Sequence, residues 1–125
     1  MRQVGIGNIM EIKNMLMEIL KHPKYYISDD GVVYRKERSG LFKLSPDLSN
    51  GYARVDLDGK KENIGRLVLE AFDPTLDSSL KVFYIDGDRT NNRLDNLVWL
   101  NSSEVQLYSR YTIEYRKQML SRGAR

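Results

Sequence analysis

The stretch from Val82 to Leu100, "VFYIDGDRTNNRLDNLVWL", constrains the fold more than any other part of this sequence. Two apolar and aromatic runs, "VFYI" and "NLVWL", are separated by residues rich in Asp, Asn and Gly, which predicts two strands joined by an ordered loop. Side chains of these types hydrogen-bond nearby backbone groups and so close loops. The expected loop-closing residues are Asn91, Asn92, Asp95 and Asn96. Trp99, in the second run, is expected in the core.

The composition is that of a globular protein. The 125 residues are enough for one domain with a core, and 41% apolar with 30% charged residues argue against a disordered chain. The sequence has no run of about 18 apolar residues and no basic start followed by a solid apolar run, so neither a membrane span nor a secretory signal is expected. Without cysteine, disulfides and thiolate zinc sites are excluded. We therefore expect a cytoplasmic protein.

Residues 1–23 are predicted to carry an N-terminal amphipathic helix. In "NIMEIKNMLMEILKH", Asn8 is placed to cap the helix, Pro23 to end it, and an apolar stripe recurs at helical spacing. The stripe consists of Ile9, Ile12, Leu16, Ile19 and Leu20. The helix is expected to pack on the core or, because its methionines adapt to varied surfaces, to bind a partner. His22, the sole histidine, is expected at the surface or packed at the helix end.

Residues 24–63 predict a β-rich module, because "KYYIS" and "VVYRK" flank the turn "DDG" and further alternating segments follow. Residues 64–109 begin with a short helix, "RLVLEAFD", that Pro74 stops, and continue into the two strands around the loop. A helix capped by Ser102 or Ser103 is predicted to run through the basic tail, residues 110–125. The fold class is α+β, with helices at both ends of one compact domain.

With the elements placed, "RLVLEAF…KVFYIDGDRTNNRLDNLVWLNSSE" resembles the HNH endonucleases of the homing type found in bacteriophages and introns. The upstream "YYISDDGVVYRKERSGLFKLSP…GYARVDLDGKK" is similar to the β-rich module that often precedes that domain. Together the two segments cover residues 24 to 105. The resemblance implies that residues 64–109 form a degenerate HNH-like ββα-metal core, which is a two-stranded ribbon, a loop and a helix around one divalent ion.

The resemblance also implies which residues would perform the reaction. The family uses a histidine as general base on the first strand, a metal ligand just before it, an asparagine that orients the histidine, and a second ligand early in the following helix. These positions fall on Tyr84, Phe83, Asn96 and Val105, and Asn96 alone keeps the family's residue type. The family's "HRLV" reads "GRLV" here, with Gly65. No catalytic residue is therefore expected.

No metal site is expected either. Phe83 cannot coordinate a hard cation, and a tyrosine hydroxyl is a poor base at neutral pH. Asp86 and Asp88 remain near the lost site as weak metal candidates, although Asp-Gly and Asp-Arg pairs are also ordinary turn chemistry. We expect no cofactor, with Mg²⁺ or Mn²⁺ entering only if nuclease activity survives.

Positive charge is concentrated at the ends of the chain. The net charge is +3, and from Arg110 onward five basic residues face only Glu114. Phosphate contacts need little more than Lys, Arg and backbone donors, so double-stranded DNA is an expected partner. The candidate contacts are Arg35, Lys36, Arg38, Lys60, Lys61, Arg89, Arg93, Arg110, Arg116, Lys117 and Arg122.

Three functions remain open from the sequence. The first is a non-catalytic, phage-encoded protein that binds DNA as a regulator in the host cytoplasm. The second is a regulator or inhibitor that binds a host polymerase, nuclease or defence complex through the Met-rich first helix or tyrosine-bearing surfaces. The third is an endonuclease with an atypical active site, for which metal-dependent nicking of plasmid would be diagnostic.

Overall fold

A computed structural model describes residues 15–122 of the chain. The strands and helices in that range are β1 (Leu16–Glu18), β2 (Tyr25–Ser28), β3 (Val33–Glu37), β4 (Gly40–Lys43), β5 (Arg54–Leu57), β6 (Lys60–Asn63), α1 (Ile64–Phe72), β7 (Lys81–Tyr84), β8 (Leu97–Leu100), α2 (Ser102–Ser109) and α3 (Ile113–Leu120). A 3₁₀ turn, Leu94–Asn96, precedes β8. Across residues 15–122, no helix is both long and apolar enough to pass through a bilayer.

Strands β1 to β4 form an antiparallel sheet in chain order. The predicted hairpin is confirmed, because Ile27 of β2 pairs with Val33 of β3 across the turn. Gly31 in that turn has a φ of 85°. A Cβ at this position would also lie 2.7 Å from the Cβ of Asn92, in the loop after β7. Glycine is thus required both for the left-handed backbone and for the close approach of that loop.

The prediction of an N-terminal helix is wrong where the structure describes it. Its first residues, 8–14, lie outside the described range, but Leu16–Glu18 form β1, with Leu16 opposite Ser28 and Met17 opposite Ile27. Helical spacing of apolar residues is a weak signal in so short a segment, and pairing with β2 overrides it. His22 lies not at a helix end but in the turn after β1, with Nε2 2.7 Å from Oε2 of Glu62.

Helix α1 starts directly where β6 ends. The Asn63 side chain accepts a hydrogen bond from the backbone N–H of Arg66 at 3.0 Å, which caps the first turn. The helix predicted from Arg66 to Asp73 is confirmed, with a start two residues earlier. Its buried face includes Leu67 and Val68, and the helix ends at Phe72, before Pro74.

The main core is shared by the β-rich module, α1 and the β7–β8 ribbon. Its buried residues are Ile19, Tyr25, Ile27, Val33, Ala53, Val55, Leu57, Ile64, Leu67, Val68, Leu69, Tyr84 and Leu97. Trp99 packs half-buried against this cluster, as expected for a core residue, and its Nε1 donates to the carbonyl of Asp73 at 2.7 Å. The ribbon is therefore held by segments that lie far from it in the sequence.

The C-terminal region contains two helices in place of the one continuous helix predicted. Helix α2 is capped by Asn101, not by Ser102 or Ser103, in a capping box with Glu104. It ends at Ser109, and α3 begins after Thr112, whose hydroxyl accepts a hydrogen bond from the N–H of Tyr115 at 3.1 Å. Threonine competes for backbone hydrogen bonds and favours a new helix start, which divides the segment.

Candidate functional site

The candidate site is built on the antiparallel ribbon of β7 and β8. Phe83 pairs with Val98, and Tyr84 pairs with Leu97. The backbone N–H of Ile85 donates to the carbonyl of Asn96 at 2.9 Å, so the pairing continues one step into the loop. The two apolar runs of the sequence thus form the ribbon that the resemblance implied.

Asp86 and Asn96 hold the loop closed. The buried Asn96 side chain accepts from the N–H of Asp86 at 3.0 Å and donates to Oδ1 of Asp86 and to the carbonyl of Asn91, both at 2.9 Å. The second oxygen of Asp86 accepts from Nδ2 of Asn91 at 2.8 Å. Asn96, which the family would use to orient the base, is engaged by the loop and makes no hydrogen bond to Tyr84.

The two weak metal candidates are both used as loop caps. Oδ1 of Asp86 accepts from the N–H of Asp88 at 2.8 Å, in addition to the asparagine contacts. Oδ1 of Asp88 accepts from the N–H and the hydroxyl of Thr90, at 2.9 and 2.7 Å, and these hydrogen bonds lower the pKa of Asp88. Within residues 15–122, no three His, Cys, Asp or Glu side chains lie together as a metal site would need.

Tyr84, at the position of the base, is sealed between α1 and the loop. Its ring is 7% exposed, and its hydroxyl donates to Oδ1 of Asn63 at 3.2 Å. Burial raises its pKa to about 12. A general base works best with a pKa near the working pH, so this phenol is unsuited to deprotonate water.

Because Gly65 has no side chain, the hydroxyl of Tyr84 can pack directly against its backbone. A Cβ at position 65 would lie 2.5 Å from the tyrosine hydroxyl and 2.9 Å from Oδ1 of Asn92. Asn92 is 6% exposed, and that oxygen has no hydrogen-bond partner in the described part of the chain. The departure from "HRLV" was visible in the sequence, but nothing there placed Gly65 against Tyr84. The sequence also did not show that Asn63, which caps α1, accepts a hydrogen bond from the hydroxyl of Tyr84.

The two ligand positions meet in a second apolar cluster. Phe83 belongs to a cluster with Ile85, Val98, Leu100 and Leu120, and Val105 packs against it. Phe83 is 8% exposed and Leu120, the last residue of α3, is 5% exposed. Neither the Phe83 nor the Val105 side chain has a lone pair that could bind a cation. At the positions that the family uses, the residues of this chain therefore do not fit a divalent ion.

Two of the predicted DNA-contacting arginines turn inward. Arg122 donates to the carbonyls of Leu94 and Leu97, at 3.1 and 2.9 Å, and forms an ion pair with Asp73 at 3.0 Å. Arg116 donates to three backbone carbonyls. Guanidinium groups occupied in this way are poorer phosphate ligands, because three of the five N–H donors of each are already used.

The other candidates lie on the surface, in two groups. Four of them contact neighbouring side chains, as ion pairs or on aromatic rings: Arg35 with Glu37 and Phe42, Lys61 with Asp47, Arg89 with Tyr52, and Arg93 with Asp95. The other five are exposed: Lys36, Arg38, Lys60, Arg110 and Lys117. No ion pair or side-chain hydrogen bond within residues 15–122 involves these five, so their donors are available to a ligand.

Comparison with known proteins finds similarity to HNH endonucleases in both sequence and structure. A family model described as HNH endonuclease matches residues 64–107. The protein named uncharacterized HNH endonuclease L247, from Acanthamoeba polyphaga mimivirus, is 34% identical over 88 residues, which are 65% of this chain and 22% of that protein. A structure titled "DNA binding and cleavage by the HNH homing endonuclease I-HmuI" matches with a TM-score of 0.60 and 28% identity, over 88% of this chain and 60% of that one.

The chain is an HNH homing endonuclease-like protein with an α+β, HNH-like fold. It spans about a fifth of the length of the viral relative and three fifths of the solved chain. The family match begins at the first residue of α1 and ends within α2, so it includes the ribbon, the loop and all three altered positions.

Proposed function

We propose that this protein binds duplex DNA through its HNH-like scaffold and does not cleave it. The absence of cleavage is supported by the packing of the three altered positions. Phe83 and Val105 contact the same apolar cluster, and Tyr84 is buried against Gly65. A surviving nuclease would need water and a cation at this place, and the cluster offers neither a donor set nor a base.

DNA binding is supported by the solved relative, whose title describes DNA binding and cleavage, and by basic side chains that remain available. Arg38 lies in the β3–β4 turn and Lys117 lies on α3, both exposed. Contacts to phosphates release counterions, so the affinity should fall steeply as salt rises.

The proposal is tested by fluorescence anisotropy of a labelled duplex at two salt concentrations. Lys117→Ser and Arg38→Ser should each weaken binding and reduce the slope of log K against log salt by about 0.9. Lys81→Ser is the matched control, because Lys81 is an exposed cation outside the candidate set. Binding that is insensitive to salt, or equal losses in all three variants, would refute a specific phosphate contact.

Absence of cleavage is tested in parallel with supercoiled plasmid and Mg²⁺ or Mn²⁺. We expect no nicking above a metal-free control. Nicking that disappears in an Asp86→Ala variant, provided that this variant is folded, would overturn the proposal and establish an atypical nuclease.

Protein-directed regulation is the second candidate, and one observation favours it. The segment from α2 to α3 exposes several large apolar side chains: Leu107, Tyr111, Ile113, Tyr115 and Met119. Tyrosine and methionine are enriched in protein interfaces. A stoichiometric host partner that is retained after DNase treatment and lost in a Tyr111→Ser/Tyr115→Ser variant would favour this function over DNA binding.

A further inference from the structure

The guanidinium of Arg116 sits where several separate elements meet. Its Nε donates to the carbonyl of Tyr108 at 2.8 Å, Nη2 to that of Ser109 at 3.0 Å, and Nη1 to that of Ile85 at 3.3 Å. Its Cζ lies 5.4 Å from the centroid of the Phe83 ring. No carboxylate within residues 15–122 forms an ion pair with it, so carbonyl oxygens and a ring face balance its charge.

These carbonyls are natural partners for a cation. Tyr108 and Ser109 are the last two residues of α2, where the helix dipole is negative. The Tyr108 carbonyl also accepts from the backbone N–H of Tyr111 at 3.1 Å, so Arg116 occupies its second lone pair. Ile85 directly follows β7. Arg116 therefore joins the strand that carries position 83 to the helix that carries position 105, and these are the two elements that the family's metal would join.

We propose that Arg116 has taken over the bridging place of the divalent ion. Its fixed charge holds β7, α2 and α3 together and disfavours the return of a metal beside Phe83. This inference deepens the proposed non-cleaving function and depends on it for the view that the metal was lost. It explains how an HNH-like fold remains ordered at this junction with apolar residues at both ligand positions.

The bridge is tested without DNA or metal, so its failure is separable from a failure of the proposed function. In Arg116→Gln, amide hydrogen exchange in α3 and the last turn of α2 should accelerate at least tenfold, while exchange in the β2–β3 hairpin is unchanged. Lys117→Gln removes the same charge from the next position of α3, where the side chain is exposed, and should leave exchange unchanged. Equal exchange in the two variants would overturn the bridge.

Displacement of the metal is tested by restoring both ligands, in Phe83→Asp/Val105→Asn, with and without Arg116→Gln. With the arginine present, the new carboxylate should pair with the guanidinium, and Mn²⁺ should produce little calorimetric heat. With glutamine there, Mn²⁺ should bind at least tenfold more tightly.

Equal Mn²⁺ affinity with and without Arg116→Gln, or no Mn²⁺ binding in either protein, would overturn the proposal that Arg116 displaces the metal. Because polar groups in this cluster can unfold the protein, folding is verified first by circular dichroism. If these variants do not fold, the single substitution decides: an unchanged melting temperature in Arg116→Gln, relative to Lys117→Gln, would overturn the proposal, and a clear decrease would support it.

Discussion

The contact between Gly65 and Tyr84 makes the two residues energetically dependent on each other. A Cβ at position 65 would lie 2.5 Å from the tyrosine hydroxyl. The ring cannot move aside freely, because it is 7% exposed and its hydroxyl is bonded to Asn63 at 3.2 Å. We therefore expect Gly65→Ala to destabilise the protein, although alanine is normally the better helix residue.

The magnitude follows from two opposing effects. Replacing glycine by alanine gains about 1 kcal/mol in a helix interior and at most that much at Gly65, the second residue of α1, whereas overpacking a buried site costs about 1–3 kcal/mol. The net change should be a loss of roughly 0–3 kcal/mol. In a Tyr84→Phe background the nearest atom of residue 84 would be ring carbon Cζ, at 3.1 Å, which needs a shift of only a few tenths of an ångström. The 2.9 Å approach to Oδ1 of Asn92 is the same in both backgrounds and cancels from the coupling. The two substitutions should therefore couple by about 1 kcal/mol or more.

Urea unfolding of the four proteins of this cycle, followed by Trp99 fluorescence and far-UV circular dichroism, measures the coupling. Gly59→Ala is a control, because Gly59 has a φ of 86° but no neighbouring atom within 4 Å of the point where a Cβ would lie. Its cost comes from the backbone alone and should add to that of Tyr84→Phe. Coupling below about 0.3 kcal/mol between positions 65 and 84 would refute the packing described for Tyr84.

Three further predictions concern the loop and pH. Asp86→Ala should lower the free energy of unfolding, measured by thermal melts, by roughly 1–3 kcal/mol, because buried loop donors lose their acceptor. Asp95→Ala is the control, because Asp95 forms only an exposed ion pair, and it should cost about 1 kcal/mol or less. Because the pKa of Tyr84 is raised from 10.0 to about 12, its contribution to stability is complete below pH 10 and declines as pH rises toward 12. Urea titrations at alkaline pH should show a smaller decline in Tyr84→Phe, in which Tyr34, whose pKa burial also raises, still contributes. Hydrogen bonds from Ser49 lower the pKa of Asp47 from 3.8 to about 2, so its contribution is present above pH 3.8 and lost as pH falls toward 2; acid titration of Asp47→Asn should be flatter in that window.

Features governed by short stretches of chain were predictable. The β2–β3 hairpin, the β7–β8 ribbon and the loop between Asp86 and Asn96 depend on turn residues and on the alternation of apolar side chains, both of which lie within a few positions of one another. The alignment of positions 83, 84 and 105 with the family's ligands and base follows from the resemblance and stays a prediction.

Features governed by contacts between distant segments were not predictable. Leu16 to Glu18 have the spacing of an amphipathic helix, and only the partner strand β2 makes them extended. Arg116 and Arg122 have the composition of a basic DNA-binding tail, yet their donors meet carbonyls more than 20 positions away, at Ile85, Leu94 and Leu97. The sequence shows that a side chain is charged, but it does not show which oxygen atoms that side chain will contact.

The sequence alone therefore shows that the positions aligned with the family's base and ligands hold Tyr84, Phe83 and Val105, of which the phenol is a poor base near neutral pH and the other two have no ligand atom in their side chains. The contacts that surround these three side chains are seen only in the folded chain. The phenol fits under Gly65, the two apolar residues join Leu120 in one cluster, and Arg116 lies over the Phe83 ring. The chemistry that a side chain can perform is a property of its residue type, whereas its packing and the compensation of its charge depend on which neighbours the fold brings to it.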